Sequence, residues 1–125
     1  MRAFFITILL IVLTSCSENK LNFDDVVKSQ VLAEKEFNNK GYITATASQQ
    51  NENVKFRIMV KDSINNEKAK ELAKEFINIM ENQIKDKELF KKSYLITFDF
   101  KSEKDGNILF KGKRDKGTED IWWQF

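Results

Sequence analysis

Histidine and proline are absent from the 125 residues, and cysteine occurs once, at Cys16. Without histidine the chain lacks the side chain that ordinarily titrates near neutrality, which excludes Ser–His and Cys–His nucleophilic catalysis. A single cysteine cannot form a disulfide within the chain, and zinc or copper sites built on His and Cys are excluded as well. Neither sign of charge dominates: 21 Lys and Arg stand against 19 Asp and Glu, so there is no basic excess to attract nucleic acid. No apolar run is long enough to span a bilayer as a helix, which takes about 20 residues. There is no internal repeat and no low-complexity segment. Carboxylate, lysine, hydroxyl and tyrosine chemistry remain, and no cofactor or metal is expected.

What is present begins at the N-terminus. Arg2 supplies one positive charge, and an apolar stretch runs from Ala3 to Leu13, interrupted by Thr7. Its length and charged start fit the h-region of a signal peptide. Leu13, Thr14, Ser15 and Cys16 then read Leu-x-small-Cys. In charge, apolar length and tetrapeptide, residues 1–16 resemble the lipobox of bacterial lipoproteins. The resemblance implies a diacylglycerol on the Cys16 sulfur, cleavage between Ser15 and Cys16, and an amino group open to acylation. Two or three acyl chains, at about 0.8 kcal/mol per buried methylene, give stable anchoring. It further implies a location on the outer side of the bacterial cytoplasmic membrane, or in the periplasm at the outer membrane. The expected organisation is residues 1–15 as signal peptide, 16–22 as lipidated Cys and short tether, and 23–125 as one domain. At about 3.5 Å per residue the tether spans at most roughly 20 Å, which holds the body close to the bilayer.

Hydrophobic periodicity divides the body. Asn22 reads as an N-cap with Asp25 three residues on, and a helix is expected from about Phe23 to Lys40. Phe23, Val27 and Val31 lie at i, i+4, i+8 along it, with Val26, Ala33 and Phe37 nearby, and Gly41 is its stop. The period then drops to two. Ile43, Ala45 and Ala47 fall on one face, and pairing them with Ile58, Phe56 and Val54 across a four-residue loop, Gln49 to Glu52, keeps apolar residues together. The strongest helix follows: Ala69, Leu72, Ala73, Phe76, Met80 and Ile84, widened by Ile77 and Ile79, with Ser63 or Asn65 as cap. Three strands close the chain. Tyr94, Ile96, Phe98 and Phe100 share a face. A three-residue loop at Lys104–Gly106 pairs Phe100 with Phe110 and Ser102 with Ile108. A four-residue loop at Asp115–Thr118 pairs Arg114 with Glu119, Lys113 with Asp120, Gly112 with Ile121, Phe110 with Trp123 and Ile108 with Phe125. The expected fold is α+β: an antiparallel sheet of four to five strands with two helices on one face, in the order α-β-β-α-β-β-β.

Trp122, Trp123 and Phe125 form the most unusual cluster. Alternation turns Trp123 and Phe125 inward and Trp122 outward, where it meets a partner or the bilayer interface, or simply covers Leu95 or Leu109. Lys111, Lys113, Arg114 and Lys116 make a basic patch beside it. That patch rests on anionic headgroups or is neutralised by the interleaved Asp115, Glu119 and Asp120. The candidate contact surface is therefore Trp122, Lys113 and Arg114. The acidic spacing does not match an EF-hand loop. Tyr42, Thr44 and Thr46 either line a groove or are solvated strand residues. No pair of carboxylates stands out for acid–base catalysis.

The sequence thus favours a non-catalytic interaction or accessory module of the cell envelope. Membrane lipid reaches it through acylated Cys16, and an envelope protein is its expected partner. Small-ligand binding in a cleft between helix and sheet is the first alternative, and a carboxylate-based hydrolase the second.

Overall fold

The computed structural model describes residues 21–49 and 51–124. The expected lipobox with its expected cleavage pair Ser15 and Cys16, the expected tether up to Lys20, and Phe125 with its expected pairing to Ile108 lie outside the described residues.

The first helix, α1 (Phe23–Asn39), starts at Asn22, whose side chain accepts from the Asp24 amide. It ends where the Tyr42 amide donates to Phe37 O and the Gly41 amide to Asn38 O, with Gly41 at φ +92°. This is a Schellman closure, and the Phe37 and Tyr42 rings pack across it at 5.6 Å. The buried stripe of α1 is Val26, Gln30, Ala33 and Phe37, whereas Val31 is 58% exposed. The expected Phe23–Val27–Val31 stripe is therefore rotated away from the core, because Phe37 faces inward and fixes the helix phase.

That closure also sets the phase of β1 (Ile43–Gln49). With Tyr42 held against Phe37, alternation turns Thr44, Thr46 and Ser48 toward the helices and Ile43, Ala45 and Ala47 outward. In β2 (Asn53–Val60), Ile58, Phe56 and Val54 pair with Thr44, Thr46 and Ser48. The register differs by one from the expected pairing with Ile43, Ala45 and Ala47, and Ile43 is 64% exposed. Counting apolar residues selects the wrong face here, since small hydroxyl side chains are what lie under α1; Thr44 Oγ1 donates to Asn38 Oδ1.

The central helix α2 (Asn66–Gln83) has Asn65 as its N-cap, and Ala69, Leu72, Ala73, Phe76, Ile77 and Met80 are buried as the period requires. A short helix, α3 (Lys87–Ser93), capped by Asp86, follows where the sequence suggested none. With it the described residues hold three helices rather than the expected two. Next come β3 (Leu95–Ser102), β4 (Ile108–Arg114) and β5 (Trp122–Gln124).

The sheet has five strands in the order β1-β2-β3-β4-β5. It is mixed rather than antiparallel, because β2 and β3 run parallel. The reason is the crossover: α2 carries the chain back along the sheet before β3 starts, and neighbours joined by a crossover helix are parallel. Between β3 and β4, Phe100 pairs with Phe110 as expected, but the register shifts after Phe100 and Ile108 lies opposite Lys101, 43% exposed. Between β4 and β5, Gly112 pairs with Trp123 and Lys113 with Trp122. This is two residues from the expected Phe110–Trp123 pairing, and a shift of two preserves the faces.

One face of the sheet carries the core. Val54, Phe56, Ile58, Val60, Tyr94, Ile96, Phe98 and Phe100 are buried. Phe76 of α2 stacks on Phe56 at 4.2 Å and meets Phe37 of α1 edge-on at 5.2 Å. Phe98 fits only because Gly112 lies opposite: a Cβ there would stand 2.3 Å from the Phe98 ring. Among the described residues, no helix covers the other face of the sheet.

Candidate functional site

On the outer face, alternation along three strands collects charge, and β5 adds an aromatic and an amide. Lys55 and Arg57 project from β2, Asp99 from β3, Lys111 and Lys113 from β4, and Trp122 and Gln124 from β5. With Ala45 and Ala47 at one side, they line a groove of about 890 Å³. Four of its five charged residues are cationic. Arg57 spends its charge locally: Nε donates to Asp99 Oδ1 at 2.6 Å and Nη2 to Oδ2 at 2.9 Å. That two-pronged bond to Asp99 raises the Arg57 pKa. Lys55 and Lys111 make no ion pair among the described residues. Lys113 reaches Asp115 at 3.3 Å. Trp122 is 63% exposed.

Of the three residues expected on a contact surface, the fold unites two. Lys113 and Trp122 are cross-strand neighbours on the outer face. Arg114 is not part of that surface. One step along β4 it points to the helical face, only 3% exposed, where Nη1 donates to Glu81 of α2 and the guanidinium lies 5.9 Å from the centre of the Phe90 ring. The alternation that places Lys111 and Lys113 outward requires this. The expected Arg114–Glu119 and Lys113–Asp120 pairs do not form, because β5 begins at Trp122 and residues 115–121 make a longer loop. Glu119 instead accepts from Lys91 of α3 at 2.6 Å, the Gly117 amide donates to Lys91 O, and Lys116 pairs with Glu52.

A second concavity lies on the helical face, between α2 and the end of the sheet. Its volume is about 690 Å³. Ile77, Ile121 and Trp123 supply apolar wall, and Arg114 and Glu81 lie within it. Glu119, at its margin, is held below the usual carboxylate range by the hydrogen bond from Lys91, whose own pKa is raised in return. That is the signature of a paired surface carboxylate, opposite in direction to a general acid. Arg114 adds a smaller lowering effect on Glu119. The Glu81–Arg114 pair escaped the sequence reading; its only trace there is that Glu81 flanks Met80 and Ile84, near the buried stripe of α2.

No group of three or more acidic residues among the described residues is placed to hold a metal ion. No helix among them is long and apolar enough to cross a membrane. No protein-family model, curated protein or solved structure matches the chain.

Proposed function

We propose that the protein is a membrane-tethered extracytoplasmic lipoprotein, anchored through Cys16, that acts as a non-catalytic interaction module of the cell envelope. The observation that carries this reading is the outer sheet face: a groove with an exposed tryptophan and four cations against one carboxylate. Charge complementarity selects an acidic partner. A groove receives an extended chain better than it meets a flat bilayer, so the partner proposed is an acidic segment of an envelope protein. Trp122 supplies a rigid, amphipathic contact of the kind that anchors interfaces.

The test uses the full chain with Trp123→Phe, which leaves Trp122 as sole reporter, titrated with poly-glutamate. Trp122 emission should shift to the blue and become shielded from acrylamide, and added salt should reverse both changes. An emission unmoved by poly-glutamate would overturn the reading. Response to anionic vesicles alone would replace the acidic chain with the bilayer as partner.

A further inference from the structure

Arg114 presents an unused recognition edge. Its side chain is 4% exposed, and Nη1 is engaged by Glu81. Nε and Nη2 are both buried and find no hydrogen-bond partner among the described residues. A buried donor without a partner is costly, and a charged one more so. Nε and Nη2 together form one of the two edges of a guanidinium that match a carboxylate with two parallel bonds. The molecule contains a worked example of that edge in use: Arg57 grips Asp99 through the same two atoms, at 2.6 and 2.9 Å.

The surroundings define what would complete Arg114. The cleft it helps to line has Ile77, Ile121 and Trp123 as apolar wall. Lys70, Lys74 and Lys91 add positive charge, and Glu81, Glu119 and Asp120 add negative charge. Lys70 and Lys91 are paired with Glu67 and Glu88 at the margin of the cleft, whereas Lys74 makes no ion pair among the described residues and leaves its charge for an incoming anion. Glu119 occupies the field of Arg114 already, but its side chain is 79% exposed and bonded to Lys91. Its negative charge would compete with that of an incoming carboxylate.

We propose that the cleft between α2 and β5 is a binding site for a small monoanionic carboxylate with an apolar body, its carboxylate on the Nε–Nη2 edge of Arg114 and its body against Trp123 and Ile121. The site is separate from the outer groove, and neither depends on the other.

Benzoate is the probe and benzamide its neutral counterpart. The readout is the Nε–H resonance of Arg114 in the full chain, with that of Arg57 as an internal reference for a carboxylate-bound edge. Benzoate should move the Arg114 signal saturably toward the Arg57 position, and benzamide should not. Arg114→Lys, which keeps the charge and loses the edge, should weaken benzoate binding, followed by calorimetry, by about tenfold or more. Glu119→Gln should tighten it by removing the competitor. Should Arg114→Lys fail to fold, Lys74→Glu on the exposed face of α2 replaces it and should also weaken binding. An unmoved Arg114 signal, an equal response to benzamide, or no tightening in Glu119→Gln would overturn the proposal. Inorganic phosphate binding as tightly as benzoate would overturn the assignment to a monoanionic carboxylate.

Discussion

Phe76 touches both other layers of the core, stacked on Phe56 of the sheet and edge-on to Phe37 of α1. It is wholly buried, so Phe76→Ala should cost about 3–5 kcal/mol, while Lys74→Ala on the solvent side of the same helix should leave the denaturation midpoint nearly unchanged. Equal midpoints for the two variants would contradict the helix phase. Tyr94 gives a pH signature. It is 3% exposed, and burial, with a smaller contribution from Glu52, pushes its pKa above the ordinary 10.0. A raised pKa means that folding favours the neutral phenol. The contribution is fully present below the unfolded value and is lost as pH rises through the folded one. Stability should therefore fall above about pH 10, and Tyr94→Phe should flatten that part of a melting-temperature profile. At this scale the α2 stripe was legible because every third or fourth residue is apolar. Arg114 was not, since a basic residue among lysines carries no sign of being buried; only the alternation along β4, combined with α2 as its neighbour, reveals it.

At the scale of elements, the sequence shows the strands more surely than their partners. Alternation in Tyr94–Phe100 marks β3 and its faces directly. The position of β3 beside β2, parallel, follows from the crossover and not from any residue in either strand. The register of β1 depended on Tyr42 packing on Phe37, a contact made by the end of the preceding helix. The hairpin β4–β5 moved by two because the 115–121 loop is tied to α3 through Gly117 and Glu119, and α3 is too short for periodicity to show. A shift by an even number keeps Trp123 inward, half-buried against Phe98 at 5.1 Å, and Trp122 outward. Trp123→Ala should therefore destabilise the fold, toward the lower end of about 3–5 kcal/mol because the ring is only half-buried, while Trp122→Ala should leave stability within about 0.5 kcal/mol. Acrylamide quenching of single-Trp variants checks the geometry: it should reach Trp122 and largely spare Trp123, and the reverse order would invert the two faces of β5.

At the scale of the whole molecule, two features combine in the proposed role: the lipid anchor proposed from the likeness of residues 1–16 to a lipobox, and a basic outer face, which no single stretch of sequence displays. The net charge of +2 conceals that face, since in its groove only Asp99 stands against the four cations. Cys16→Ser should move the protein from the detergent phase to the aqueous phase in phase partitioning and remove the mass of the acyl chains; unchanged partition would refute the anchor. The proposed role requires that the lysines of the outer sheet face bind an acidic chain. The most direct measurement is the affinity of the full chain for poly-glutamate, by calorimetry, with and without Lys111→Glu and Lys113→Glu together. Both side chains are exposed, so the double variant should stay folded. Its affinity should drop by about an order of magnitude or more, and the remaining binding should lose most of its salt dependence; a folded double variant that binds poly-glutamate as tightly as the unaltered chain would contradict the proposed role of this face.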